Sequence, residues 1–321
     1  MEKIGSYEIL SAFKQTGSGT VYRVFDPVLK ESLALKVVRH SDITPAILKI
    51  FTDQMAGLKK LSHSNILPVM DAREFDGKPG YTMKIAARGS LSDHLSRFHS
   101  DPRALAKLIS TVARAVQYAH DQQLIHGNLK PANILLDDGD RPLVSDFGLP
   151  IQAELSSRDD TNPGSLPYMP PEQFQGYEQH TSRIDIWALG VILYEVVTGQ
   201  KPFLANDRSH YWHEISGSEP ARPSVLVKDL DPYLEMIILR CLKKDPARRY
   251  QTAAQLADDL DRWLEGNPPR EYRLPLGKRL TFWVVKPFNV LLLISGLLAL
   301  AFFSLFVFFL AGKLIPTLLK K

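Results

Sequence analysis

The residues from His126 to Gly148, HGNLKPANILLDDGDRPLVSDFG, constrain the fold of this chain more than any other stretch. Ile134 to Leu136 is a short apolar run closed by Asp137-Asp138-Gly139-Asp140, and Pro142-Leu143-Val144 follows as a second. Two such runs bounded by turn residues read as a tight hairpin. The hairpin sets two polar clusters side by side. His126, Asn128, Lys130 and Asn133 precede its first strand, and Asp146, Phe147 and Gly148 follow its second. An amide and a carboxylate brought together in this way offer oxygen ligands suited to magnesium, a hard cation commonly shared between carboxylates and substrate phosphates.

These residues resemble the protein kinase family, whose catalytic loop reads H-R-D-L-x-x-x-N and whose metal motif reads D-F-G. The loop here is His126-Gly127-Asn128-Leu129-Lys130-Pro131-Ala132-Asn133. Its asparagine and lysine are kept, while Gly127 replaces the arginine and Asn128 the catalytic aspartate. The metal motif is intact. The resemblance implies an α+β, bilobal fold with a small sheet-rich lobe over residues 1–86 and a helical lobe over 87–267. It also implies ATP and Mg2+ as cofactors, with Asn133 and Asp146 as metal ligands and Asn128 and Lys130 at the catalytic positions.

The same family pattern can be followed along the chain. Short apolar runs at Tyr7–Leu10, Val21–Val24 and Leu33–Val38 alternate with turn residues, as in an antiparallel sheet. Against the family's G-x-G-x-x-G-x-V phosphate loop, anchored on Val21, the glycine positions fall on Lys14, Thr16 and Gly19, with Gly17 adjacent. Lys36 matches the strand lysine that reaches the nucleotide phosphates. Val21 and Ala34 would wall the base, Met83 would guard the back of the adenine pocket, and Leu135 would form its floor.

Ile47, Ile50, Phe51, Gln54, Leu58 and Leu61 share one helical face. Gln54 falls where the family carries the glutamate that pairs with the strand lysine. A neutral hydrogen bond there contributes about 0.5–1.5 kcal/mol, against about 1.5–3 for a charged one. His63-Ser64-Asn65-Ile66 is similar to the family's H-P-N-I. Leu105, Leu108, Ile109, Val112, Val116 and Ala119 form a second stripe that ends just before the catalytic loop.

After Asp146 the chain to Leu166 is polar and broken by prolines, with hydroxyls at Ser156, Ser157, Thr161 and Ser165. Gly164 to Glu172 resembles the end of an activation segment, Ser165 standing where Ser/Thr-specific kinases usually carry threonine. Ile184 to Val197 is apolar almost all round and matches the family's central helix. Arg249 falls where a family arginine pairs with the glutamate of A-P-E, here Glu172.

Composition narrows the rest. The chain has 321 residues, 45% hydrophobic and 23% charged, with a formal net charge of +4, which gives no footprint for nucleic acid. Its one cysteine, Cys241, excludes an intrachain disulfide and reads as a buried thiol. The N-terminus lacks the basic start and apolar core of a signal peptide. Residues 268–287 form a basic linker with Arg270, Arg273, Lys278, Arg279 and Lys286 against Glu271. Phe288 to Gly312 then runs 25 residues without a charge, before a tail over 313–321. A stretch of about 20 apolar residues suffices to cross a bilayer. Expected, therefore, is a single-pass protein of the cell membrane, with Trp283 at the interface and the kinase-like domain in the cytoplasm.

Two function classes stay open. One is a pseudokinase, a membrane-tethered signalling module that binds ATP or acts by conformation alone. The other is an active Ser/Thr kinase transferring the γ-phosphoryl of ATP to a protein hydroxyl. A metabolite kinase of related fold is disfavoured, because Gly164 to Glu172 resembles a protein-substrate platform. The partner is in each case a protein, and a homo-oligomer is compatible with both.

Overall fold

The structure is a computed structural model. It describes residues 2–16, 19–38, 45–147, 164–174, 181–204, 207–270, 294–295 and 298–304. The chain divides into two compact units, 1–269 and 270–321.

The smaller lobe of the first unit is an antiparallel sheet of six strands. These are β1 (Lys3–Ile4), β2 (Tyr7–Thr16), β3 (Gly19–Asp26), β4 (Glu31–Val38), β5 (Val69–Phe75) and β6 (Lys78–Lys84), in the spatial order β1-β2-β3-β4-β6-β5. The three strands expected from alternation lie within β2, β3 and β4. Two register shifts, between Ile9 and Ser11 and between Ala12 and Lys14, curl β2 against β3.

Strand β4 is buried on both faces. Leu33 and Leu35 pack with Tyr7, Val24 and Phe75 in a small outer cluster, whereas Ala34 and Val38 join the main core. Lys36 shares the face of Ala34 and is itself buried. Helix α1 (Pro45–Leu58) covers that face with Phe51, Met55 and Leu58. It ends a turn earlier than the apolar spacing suggests, and Leu61 is buried just beyond it. The side chains of Ile47 and Ile50 lie outside the description.

The segment after α1 stitches the two lobes together. Asn65 donates through Nδ2 to the Pro142 carbonyl at 2.8 Å, and its own carbonyl accepts from the Val144 amide at 2.8 Å. Leu67 in turn donates to the Val144 carbonyl at 2.9 Å. Val144 belongs to β8 (Pro142–Val144), which pairs with β7 (Ile134–Leu136) in the expected hairpin. Asp137 closes the turn by accepting from the amides of Gly139 and Arg141 at 3.0 and 2.9 Å.

The larger lobe is helical. After the short α2 (Leu95–His99), Asp101 caps α3 (Pro102–Asp121) by accepting from the amides of Arg103 and Ala104, and Pro102 follows the cap. Every residue of the predicted α3 stripe is buried. The central helix α4 (Arg183–Thr198) is buried almost all round and stops at Gly199, which adopts a left-handed conformation. Around it lie α5 (Arg208–Gly217), α6 (Pro223–Leu226), α7 (Pro232–Cys241) and α8 (Ala253–Leu264).

Gly190 lets α4 and α7 touch: a Cβ there would sit 2.3 Å from the Cβ of Cys241. Cys241 is the buried thiol expected, and burial pushes its pKa up. Across α3, Ser110 donates to Asp261 of α8 at 2.5 Å, and Arg114 bridges to Asp258 and Asp261 at 3.1 and 2.5 Å. The fold is thus bilobal, a curled sheet over a helical lobe.

In the second unit, residues 294–295 and 298–304 are helical and exposed, with Leu298, Leu300, Phe302 and Phe303 among them. No helix among the described residues is long and apolar enough to cross a membrane. Most of the uncharged stretch expected to span lies outside the described residues, as do Trp283, the hydroxyls of 156–161, Gly17 and Gly148.

Candidate active site

The register of the small lobe collects the predicted residues on one surface. Val21 lies opposite Lys36, Lys36 opposite Tyr81, and Ala34 opposite Met83. Directly opposed residues share a face, and residues two apart along a strand share it too. Val21, Ala34, Lys36, Tyr81 and Met83 therefore form one strip facing the hairpin. Leu135, half-buried on β7, bridges to Ser90.

Gly19 is needed for a reason the sequence did not suggest. Its φ is +155°, and a Cβ would stand 2.2 Å from the Val37 carbonyl oxygen. Close packing of β3 on β4 accounts for the glycine without any phosphate.

Lys36 finds its counter-charge in Asp146, with Nζ 2.8 Å from Oδ2. The partner expected from the family was at position 54, where Gln54 is half-buried on α1. Tyr81, which the sequence reading left as a plain strand residue, donates its hydroxyl to the other Asp146 oxygen. Burial alone would raise the Asp146 pKa, but the Lys36 ammonium and the two bonds outweigh it and hold the carboxyl below its usual range. Tyr81 is driven well upward, first by burial and then by the Asp146 charge, so its hydroxyl stays a donor. Asp146 itself adopts φ +54°, an uncommon conformation for a residue with a side chain. Behind the strip, Leu58, Ile66, Val69, Met83 and Phe147 line a small cavity that Asp146 also reaches.

The catalytic-loop segment is held from below by Asp185 on α4. Its carboxylate accepts from the His126 amide at 2.9 Å, the Gly127 amide at 2.8 Å and His120 Nε2 at 2.7 Å. Burial pushes Asp185 upward, but these donors prevail and keep it ionised. His126 is fully buried. It accepts the Asn128 amide on Nδ1 at 3.2 Å and gives its Nε2 proton to the Ser145 carbonyl at 2.9 Å. Those two bonds assign the neutral Nε2–H tautomer, in keeping with a pKa lowered by burial.

Asn133 donates from Nδ2 to the Asn128 carbonyl at 2.7 Å, which leaves its amide oxygen as the acceptor able to meet a cation. Its backbone carbonyl accepts from both the amide and the hydroxyl of Ser145 at 2.9 and 3.1 Å, so Asn133 and Asp146 are tied together one residue apart. Lys130 Nζ donates to the Ser165 hydroxyl at 2.6 Å, bringing the loop lysine against the end of the activation-like segment. Beneath that segment Glu172 and Arg249 form a buried two-pronged pair at 2.6 and 2.8 Å.

An amide oxygen and a carboxylate on this frame fit a hard divalent cation shared with phosphate oxygens. No group of three or more His, Cys, Asp or Glu side chains suited to a metal occurs among the described residues. Tyr81, Asp185 and His120 are the site residues that sequence reasoning passed over. Only the strand alternation that sets Tyr81 on the face of Met83 hinted at the first.

The protein kinase domain family matches residues 7–260. The chain is 32% identical over 262 residues to the DNA damage-responsive serine/threonine-protein kinase RqkA of Deinococcus radiodurans, covering 79% of this chain and 39% of that one. It is 30% identical over 277 residues to the serine/threonine-protein kinase PknB of Mycolicibacterium smegmatis, covering 82% and 44% respectively. This chain thus spans about two-fifths of the length of these relatives. The crystal structure of the PknI kinase domain of Mycobacterium tuberculosis superposes with a TM-score of 0.64 at 26% identity, over 81% of this chain and 97% of that one.

Proposed function

This chain belongs to the protein kinase family, and from that premise we propose that it is a nucleotide-binding signalling domain whose own phosphoryl transfer is weak or absent. One observation carries the reading. The loop from His126 to Asn133 is pinned in place by Asp185, yet it presents the amide of Asn128 where the family presents a carboxylate. The scaffold of the reaction is kept and its general base is not.

Binding is supported by what surrounds that position. Lys36 is the cation that phosphates would meet, taking it from Asp146. Asn133 and Asp146 would hold Mg2+, whose contribution is to neutralise phosphate charge. Val21, Ala34, Met83 and Leu135 would enclose the base. An active Ser/Thr kinase is the second reading, and it is favoured by the Lys130–Ser165 bond, which sets a retained lysine beside the segment expected to receive a protein substrate. On either reading the partner is a protein.

Thermal unfolding tests the binding proposal. Mg-ATP is expected to raise the Tm of the chain, and Asp146→Asn to remove the Mg2+-dependent part of the rise. Absence of any nucleotide effect on the unaltered chain would refute it.

We also place the chain at the cell membrane, crossing it once through residues 288–312 with the large unit in the cytoplasm. The supporting facts are the 25 uncharged residues and the exposed apolar side chains on the helical residues 298–304. The full chain is expected to stay with membranes through high salt and alkaline carbonate. Release by either treatment would count against a spanning helix.

A further inference from the structure

We propose that Tyr81 is a positioning residue for magnesium, its hydroxyl orienting the Asp146 carboxylate from the small lobe. The inference rests on the reading of Asp146 as a metal ligand. Three observations lead to it. Tyr81 is buried on the same sheet face as Lys36, directly opposite it in register, so its hydroxyl has a fixed place set by β6. That hydroxyl donates to Oδ1 of Asp146 while Lys36 holds Oδ2, so each carboxylate oxygen has a strand-borne partner. Finally, Gln54 on α1 stands where the family carries an acid, and the ion pair that Lys36 makes is with Asp146.

The physical consequence concerns which partner is permanent. A nucleotide's phosphates compete for the Lys36 ammonium, so its grip on Asp146 weakens as ligand enters. Tyr81 is neutral and buried, has no affinity for phosphate charge comparable to an ammonium's, and stays. Each carboxylate oxygen carries two lone-pair sites, so Oδ1 can keep the Tyr81 proton while the carboxylate meets a cation through the sites that remain. Asp146 holds an uncommon backbone conformation at φ +54°. From that backbone its carboxylate is held by Tyr81 on Oδ1 and Lys36 on Oδ2. Partners of this kind, bonded to a ligating carboxylate, typically contribute 10–100-fold to metal affinity.

The test is Tyr81→Phe in the full chain, which keeps the ring and its packing and deletes one oxygen. Binding of a fluorescent ATP analogue is measured without metal and then across a Mg2+ titration, with thermal unfolding of the ligand-free protein as a check on folding. The expected result is a Mg2+ half-saturation raised about 10-fold or more, with metal-free nucleotide affinity changed less than about threefold. A purely structural role would move the metal-free affinity and the ligand-free Tm instead. An unchanged half-saturation would overturn the inference, and a lowered one would show that the hydroxyl competes with the cation. If the unaltered chain shows no Mg2+ response at all, Asp146 is not a ligand and both readings fall. If the variant responds to Mg2+ as the unaltered chain does, the metal reading stands and the Tyr81 inference alone is lost.

Discussion

Asn128→Asp is expected to raise phosphoryl transfer by this domain about 10²–10⁴-fold, the usual contribution of a positioned general base. The frame needed for that gain is already present. His126 and Gly127 are fixed through their amides to Asp185, and the carbonyl of Asn128 is tied to the Asn133 side chain, so position 128 is held by backbone bonds that the substitution leaves alone. Asparagine keeps the shape of aspartate and can orient a hydroxyl through its carbonyl, but at neutral pH it has no basic group. The transition state is loose, so positioning and charge stabilisation persist without the base, and some turnover of the unaltered chain is compatible with the proposal. Gln54→Glu, added to Asn128→Asp, gives Lys36 an alternative partner on α1. Effects of residues acting as a unit do not add, so the double variant is read as a direction only. Autophosphorylation with labelled ATP measures all three. Wild-type turnover near about 1 s⁻¹, the low end for kinases, would reject the attenuated reading in favour of an active enzyme.

Arg249→Ala is expected to destabilise the first unit by about 3–5 kcal/mol, the cost of stranding one member of a buried ion pair. Arg249 is 1% exposed and Glu172 4%, so water cannot replace the lost charge. The guanidinium also donates to the carbonyls of Lys243, Arg183 and Lys244 at 2.7, 3.2 and 3.1 Å, and lies 4.9 Å from the Trp187 ring centre. Those bonds join the loop after α7 and the start of α4 to the segment carrying Glu172. Urea unfolding followed by intrinsic fluorescence gives the change in midpoint. A loss under about 1 kcal/mol, the range of exposed pairs, would mean that the buried pair is not what ties these segments together. Arg249→Met with Glu172→Gln should recover part of the loss, because it removes both charges together.

Much of the fold was legible because its signals are local. Hairpin β7–β8 follows from two apolar runs around Asp137 to Asp140, and α3 and α4 follow from spacing and apolarity alone. The ends of elements were less so. The apolar face beginning at Ile47 continues to Leu61, but α1 stops at Leu58 and the chain turns, so Leu61 reaches the core from a loop. Among the candidate site residues, Lys36, Asn133 and Asp146 were proposed from the family pattern, which fixes identity at a spacing. Tyr81 was not, since its meaning depends on a hydroxyl meeting a carboxylate 65 residues later in the chain. The partner of Lys36 also escaped, because a missing acid on α1 does not say where the ammonium will turn. Gly19 was read as a nucleotide contact from the family's glycine positions alone, and its steric need in the sheet, a Cβ clash with the Val37 carbonyl, shows only in three dimensions. Such cases arise where tertiary contact, and not local pattern, decides the role.

The two-sided burial of β4 carries a consequence for assembly. Strands alternate their side chains, so a slip of one residue exchanges the faces entirely. In the native register Lys36 points to Asp146, and Leu33 and Leu35 point to Val24 and Phe75. In the slipped register the ammonium would enter that apolar outer cluster, where an unpaired charge is very costly to bury. The misaligned pairing is therefore penalised by the Lys36 charge itself. A methionine in its place would pack on either face and remove the distinction.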